Sequence, residues 1–352
     1  MQSMRITLLA ATIASLATSA PPGAQRPLKV MILFDMEGVS GATDFRHTSY
    51  AHPAEYAQGR QSLTADVNAA IVGVKAAGAT DIVIVDGHGS GNSTGPDVLE
   101  DQLRAPAKVL YRSTPFDIYM DSYDPSFDAI VAIGMHAAAG NRQGFLSHTY
   151  TFEDVEYKVN GIPFNESMIL AMGAARLKIP VVAISGDDQL EKEIHRALPW
   201  VQYATVKHAV DRSKAISHED ALQQIQTAAR EGISRLGAAK LPDYPGPYRF
   251  SLTFQDEAQA RNAALIHGAE LSGADVQIRT NDFEEGYHLS TRAIGLASAV
   301  GRADALQAVI NAQSNATALR VDVTDRLYAR FLETLPAPPP ATTAPQRYWG
   351  AR

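Results

Sequence analysis

The sequence contains no cysteine among its 352 residues. Disulfide bonds, thiolate metal sites and catalysis by a cysteine nucleophile are therefore excluded. Any metal ion that this chain binds must be held by histidine and carboxylate side chains.

The sequence also lacks an excess of positive charge. It has 31 Lys and Arg against 38 Asp and Glu, which gives a net charge of −7. A nucleic-acid partner, which usually requires a basic surface, is therefore not expected. The hydrophobic share of 45% and the charged share of 20% are typical of a globular protein. The length predicts one large domain or two ordinary ones.

The N-terminal apolar run, from Ile6 to Leu16, is too short to span a bilayer as a mature helix. Arg5 precedes it, and the small residues Thr18-Ser19-Ala20 follow it. This pattern predicts a signal peptide over residues 1–20, cleaved after Ala20. We therefore expect a periplasmic or secreted protein with no membrane association after processing. An uncleaved anchor, or a wrongly assigned start codon, remains the alternative.

Apolar runs separated by breakers predict alternating strands and helices in the rest of the chain. Buried strands are predicted at residues 28–34, 81–85, 128–133, 180–184 and 201–206. A helix is predicted at 54–77, and another from Pro163 to about Leu177, after a hairpin-type turn at Asn160-Gly161. This alternation predicts an α/β fold: a mainly parallel sheet with flanking helices.

The second half of the chain predicts a smaller C-terminal α+β domain, with strands at 248–254 and 275–279 and helices at 257–267 and 283–300. The prolines near the C-terminus predict disorder there. The predicted division is a signal peptide at 1–20, an N-terminal α/β metal-binding domain at 27–212, the α+β domain at 213–333 and a proline-rich tail at 334–352.

Metal-binding side chains follow the first three predicted strands. Asp35 and Glu37 follow the first strand, His88 the second and His136 the third, each with glycine nearby. Because the carboxyl ends of parallel strands meet at one edge of the sheet, we expect these side chains to converge there.

Two carboxylates held together repel each other unless a positive charge lies between them. A divalent metal pair would supply that charge, and imidazole nitrogen is a good zinc ligand. Each residue also has an ordinary alternative, which stays open here. Asp35 could cap a turn, Glu37 could be solvated, and a single histidine after a strand is often structural.

The same segments resemble a known family, the zinc D-aminopeptidases associated with dipeptide-transport operons. The resemblance covers about residues 29–299, and its motifs come in the family's order. These motifs are Phe34-Asp35-Met36-Glu37-Gly38-Val39-Ser40-Gly41, Asp86-Gly87-His88, Gly134-Met135-His136-Ala137, Leu146-Ser147-His148-Thr149, Asn160-Gly161, Glu166 and Ser185-Gly186-Asp187-Asp188.

The resemblance implies two zinc ions per subunit. It implies that Asp35 and His88 hold one ion, that His136 and Glu166 hold the other, and that Glu37 bridges them. It also implies a ring-like homo-oligomer and hydrolysis of N-terminal D-residues, such as D-Ala, from short peptides or amides with a free N-terminus.

The family also implies that His148 is the catalytic residue and not a ligand. From the residues alone, His148 could be a surface histidine, and Glu166 could simply be favoured by the dipole at a helix start. The chain departs from the family in its export signal, its proline-rich tail and Gly87, where serine is common.

Two other functions remain compatible with the sequence. One is a different bimetal hydrolase, such as a phosphoesterase. The other is a non-catalytic periplasmic peptide-binding protein, which two α/β lobes could support.

Overall fold

A computed structural model of the protein describes residues 27–211, 216–332 and 347–350. The predicted signal peptide at 1–20 lies outside the described residues, as does the predicted tail at 334–352 apart from residues 347–350. The first sheet has six strands, all paired in parallel, in the order β3-β2-β1-β4-β7-β8. These strands are β1 (Leu28–Phe34), β2 (Ala79–Asp86), β3 (Lys108–Val109), β4 (Ala129–Met135), β7 (Val181–Asp187) and β8 (Gln202–Lys207).

The second sheet is antiparallel and has five strands in the order β10-β11-β9-β5-β6. These strands are β5 (Asp154–Val159), β6 (Ile162–Pro163), β9 (Tyr248–Phe254), β10 (Glu270–Ser272) and β11 (Asp275–Thr280). The α-helices of the described residues are α1 (Pro53–Ala76), α2 (Glu166–Ala175), α3 (Asp188–Ala197), α4 (His218–Ser234), α5 (Glu257–Ala263), α6 (Phe283–Asn311) and α7 (Ala316–Phe331).

Strand β1 shows why the first sheet is buried on both faces. Its successive residues point to opposite sides. Val30, Ile32 and Phe34 lie in a core that includes α1 and α4. Met31 and Leu33 lie in a second core that includes α2, α3 and the second sheet. The continuous apolar run of β1 therefore serves two cores, as expected of a covered parallel sheet. The predicted fold class is confirmed.

The turn between β5 and β6 also matches its prediction. Asn160 and Gly161 have φ values of 51° and 83°, the left-handed conformations of a two-residue hairpin turn. The predicted helix start at Pro163 is wrong, because Pro163 pairs with Lys158 in this hairpin. Helix α2 begins three residues later, at Glu166, where the side chain of Asn165 accepts a hydrogen bond from the Met168 amide.

Elements from the two sides of the predicted boundary at 212/213 contact each other, and the predicted division into domains stays a prediction. Strand β5, from before that boundary, pairs with β9, from after it. Helix α4, from after it, packs on α1 and on β8. The second sheet, and the helices that pack on the first sheet, therefore each include elements from both predicted domains.

Helix α6 extends past its predicted end, and α7 was not predicted. Within the described residues, α6 is the one helix long and apolar enough to cross a membrane by length and composition alone, and 22% of its most apolar stretch is buried in the protein. Its first part, including Phe283, Tyr287 and Ile294, packs into the core of the second sheet. The expectation of no membrane association stays a prediction.

The contact between α1 and α4 can be tested at Gly73. A Cβ on Gly73 would overlap the carbonyl oxygen of Gln226 in α4. We expect Gly73→Ala to lower the free energy of unfolding in urea by about 1–3 kcal/mol, the usual cost of overpacking. The control is Gly295→Ala, where a Cβ would meet no described atom within 4 Å. That change should be neutral or stabilise by up to about 1 kcal/mol. Equal effects of the two changes would contradict the close α1–α4 packing.

Candidate metal centre

Asp35 and Glu37 lie at the carboxyl edge of the first sheet and are each only 3% exposed. The loop that carries them is tied to the end of β4: the Asp35 amide donates to the Ile133 carbonyl at 2.8 Å, and the Gly38 amide donates to the Gly134 carbonyl at 2.8 Å. A Cβ on Gly38 would overlap the carbonyl oxygen of Met135. Glycine at this position therefore allows the loop after β1 to approach the end of β4 closely.

His136 follows β4 and is 1% exposed. Its Nδ1–H donates to the Ala137 carbonyl at 3.1 Å, which leaves Nε2 to face the carboxylates. Nε2 lies 3.3 Å from Asp35 Oδ2 and 3.7 Å from Glu166 Oε1. The ring is thus held in the tautomer and orientation that a metal ligand needs.

His88 follows β2 and faces the other carboxylate. Its Nε2 lies 3.4 Å from Glu37 Oε1, and its Nδ1 donates to Asp97 Oδ2 at 2.7 Å. Asp97 is 1% exposed and also accepts hydrogen bonds from the hydroxyls of Ser90 and Tyr56. Asp97 thus fixes the His88 ring, as carboxylates commonly do behind a metal-binding histidine.

Asp97 was not predicted from the sequence. It lies nine residues after His88, in a Ser-, Asn- and Gly-containing loop that returns to the site only in the folded protein. An acidic residue in a polar loop after a candidate ligand was the only available signal.

Glu166 enters the site from the first turn of α2. Its Oε1 accepts the Tyr150 amide at 2.7 Å, and its Oε2 accepts the hydroxyl of Tyr119. Glu166 is 4% exposed. Tyr119 is a second partner that the sequence did not indicate, since it lies in a segment without a recognisable motif.

His148 lies against His136, with ring centroids 4.1 Å apart and the planes 10° from parallel. Its Nδ1–H donates to the Leu146 carbonyl at 2.7 Å. Phe152 contacts the His148 ring at 4.7 Å. His148 therefore lies beside the cluster of carboxylates and imidazoles. It is not the surface histidine that the sequence alone left as an alternative.

Two sets of ligand atoms in the described residues lie within 4.8 Å of one another: Asp35, Glu37 and His136 form one, and His136, His148 and Glu166 form the other. His136 belongs to both sets, and His88 joins through its approach to Glu37. The structure brings all six predicted site residues together. The division of ligands between two ions stays a prediction.

The electrostatics of the cluster favour a cation. Burial and the neighbouring Glu37 raise the pKa of Asp35 to about 8. Burial opposes charge on His136, yet Glu166 and Asp35 raise its pKa to about 10. Burial likewise opposes ionisation of Glu37, but His88 holds the pKa of Glu37 well below its usual range. His136 faces Asp35, and the pKa of Asp35 nevertheless stays raised, so the histidines offset only part of the cost of burying these carboxylates.

Glu37 Oε2 and His136 Nε2 are buried and have no hydrogen-bond partner among the described residues. Such unpaired buried atoms require a further partner. The donors are carboxylate oxygens and imidazole nitrogens, which suit zinc. The residues therefore fit a metal centre of the predicted kind.

A family model described as D-aminopeptidase matches residues 28–291. The chain belongs to the D-aminopeptidase family. A D-aminopeptidase of Bacillus subtilis (strain 168) is 27% identical over 268 residues, which cover 74% of this chain and 94% of that relative. The solved structure of the zinc-dependent D-aminopeptidase DppA from Bacillus subtilis, described as a self-compartmentalizing protease, is similar with a TM-score of 0.69 and 25% identity. The aligned region covers 77% of this chain and 98% of the DppA chain.

The family match confirms the resemblance inferred from the motifs, and with it the prediction of a D-aminopeptidase-type enzyme. All six site residues lie inside the matched range. Most of α6, from Arg292 onward, the whole of α7 and residues 347–350 lie beyond it.

Asp97 provides a test of how this D-aminopeptidase family member orients a ligand. Asp97→Asn keeps the shape of the side chain but weakens its hydrogen bond to His88. We expect the affinity for zinc to fall about 10–100-fold, the usual cost of losing such a partner. Zinc titration against a competing chelator measures this, with the exposed Asp101→Asn as the control. An unchanged affinity would show that Asp97 does not orient His88.

Proposed function

We propose that this protein is an exported, zinc-dependent aminopeptidase that binds two zinc ions per chain. It removes N-terminal D-amino acids, such as D-Ala, from short peptides or amides. The observation that carries this proposal is the buried cluster of carboxylates and imidazoles at the sheet edge, with Glu37 Oε2 and His136 Nε2 lacking partners among the described residues. The relative DppA, which is named as a zinc-dependent D-aminopeptidase, supports the choice of metal and substrate.

The residues that would hold the zinc ions are Asp35, Glu37, His88, His136 and Glu166. Bound zinc would supply Lewis acidity to the scissile carbonyl and to the attacking water. The protein excludes bulk water from these ligands, since Asp35, Glu37, His136 and Glu166 are each at most 4% exposed. Low exposure strengthens every charge interaction inside the site.

His148 is the residue that we assign to the reacting atoms. Its Nδ1–H is engaged by the Leu146 carbonyl, so Nε2 is the nitrogen that can accept or donate a proton. The ring is held between His136 and Phe152. Burial and the neighbouring His136 lower the pKa of His148, which favours the neutral, proton-accepting form.

Export is supported by the signal-peptide pattern of residues 1–20, and the periplasm offers cell-wall fragments as a source of D-residues. A ring-like homo-oligomer is supported by the description of DppA as self-compartmentalizing. Both statements extend the proposal to where the enzyme works and how its subunits assemble.

The proposed function predicts metal content and stereochemical preference together. The purified full chain should carry close to two zinc ions per subunit by elemental analysis. It should hydrolyse D-alanyl amides faster than L-alanyl amides and should lose that activity when zinc is removed by a chelator. Readdition of zinc should restore it. Faster turnover of the L-amides, or turnover of phosphate esters in their place, would contradict the proposal.

The role of His148 can be separated from metal binding. We expect His148→Ala to keep both zinc ions but to lower kcat by about 10²–10⁴-fold, because a positioned acid–base group is lost. The exposed His267→Ala is the matched control and should change neither quantity. Zinc content and turnover must be measured on one preparation. If the zinc content falls together with kcat, His148 is a ligand. Its position beside His136 and Glu166, in the second set of ligand atoms, would be consistent with that result.

A further inference from the structure

The described C-terminal residues lie against the edge of the first sheet. Tyr348 and Arg112 exchange two backbone hydrogen bonds of 2.8 Å each, in antiparallel pairing. Gly350 then pairs in parallel with Asp86, the last residue of β2. Residues 347–350 thus continue the sheet beyond the short strand β3, at the edge where the metal ligands converge.

Side chains fix this segment in place. Trp349 is only 7% exposed and meets the ring of Tyr111 edge-on at 6.2 Å. The guanidinium of Arg347 lies 3.5 Å from the centre of the same ring, a favourable cation–π contact. A Cβ on Gly350 would overlap the carbonyl oxygen of Asp86, so only glycine fits at this position.

Asp86 links the segment to a predicted metal ligand. One of its carboxylate oxygens accepts the His88 amide at 3.0 Å, and the other accepts the Asp97 amide at 2.8 Å. Asp97 in turn accepts the His88 ring Nδ1–H. The backbone and the ring of His88 therefore both depend on where Asp86 lies, and Gly350 packs directly on Asp86.

We propose that residues 347–350 are a positioning segment of the metal centre, which holds the turn at Asp86 and thereby orients His88 for the metal. The segment lies beyond residues 28–291, which the family model matches. The inference rests on the proposed zinc-dependent function, because His88 is positioned for a metal that the function requires.

The first experiment removes residues 347–352 from the otherwise complete chain. We expect the zinc dissociation constant, measured by chelator competition, to rise about 10–100-fold, as when other partners of a ligand are lost. The synthetic peptide Arg-Tyr-Trp-Gly-Ala-Arg, which has the sequence of residues 347–352, should restore the affinity when added in trans. The same peptide with Gly350→Val should not, because the added side chain would overlap Asp86.

A point variant covers the case in which the shortened chain folds poorly. Gly350→Ala in the full chain should weaken zinc binding, whereas Gly237→Ala, where a Cβ would meet no described atom within 4 Å, should not. The chain has two tryptophans. In a Trp200→Phe background, the emission of Trp349 should therefore shift to longer wavelength in Gly350→Ala if the segment is released.

The outcomes separate this inference from the proposed function. Equal zinc affinity in the full chain, the shortened chain and Gly350→Ala would overturn the positioning role alone. Failure of the full chain to bind zinc would overturn the proposed function and this inference with it. Weakened zinc binding that the unaltered peptide restores and the Gly350→Val peptide does not would establish the role.

Discussion

The site depends on one constraint: two carboxylates, Asp35 and Glu37, are buried side by side at the end of a parallel strand. Removing such groups from water is costly, and their mutual repulsion adds to the cost unless positive charge is placed against them. The approach of His136 to Asp35 and of His88 to Glu37 provides part of that charge. The raised pKa of Asp35, to about 8, shows that this part is insufficient. A divalent cation between these side chains would supply the remaining positive charge.

The backbone makes this concentration of charge possible. The loop after β1 contacts the end of β4 through the hydrogen bond from the Gly38 amide to the Gly134 carbonyl, and Gly134 has a φ of 75°, which glycine adopts without strain. A side chain at either position would separate Asp35 from His136. The sheet places the strand ends at one edge, and the glycines then bring the ligands within reach of one another. The geometry of the candidate metal centre therefore depends on the loops as much as on the strands.

The sequence predicted five of the six strands of the first sheet, because a strand buried on both faces leaves a continuous apolar run; β1 has the predicted bounds, and the two-residue strand β3 was not predicted. It also identified Asp35, Glu37, His88 and His136, which follow those strands and lie together in the structure; their role as ligands stays a prediction. It could not identify Asp97, since that carboxylate reaches His88 only after its loop folds back over the strand end. The start of α2 was misplaced for a related reason. Pro163 is favourable in a first helical turn, but its pairing with Lys158 in the hairpin decides the outcome.

The three histidines of the site share one hydrogen-bonding arrangement, which has different consequences for each ring. Each has its Nδ1–H engaged by an oxygen, which leaves Nε2 directed elsewhere. The acceptor for His88 is the carboxylate of Asp97, an arrangement that raises the basicity of an imidazole and would suit His88 to the proposed ligand role. The acceptors for His136 and His148 are backbone carbonyls, so their properties depend on the surrounding charges. His136 faces Asp35 and Glu166, whereas the lowered pKa of His148 reflects burial and the neighbouring imidazole. The same ring arrangement therefore suits the proposed ligand role where carboxylates face the ring, and suits the proposed proton-accepting role of His148 where burial and His136 lower its pKa.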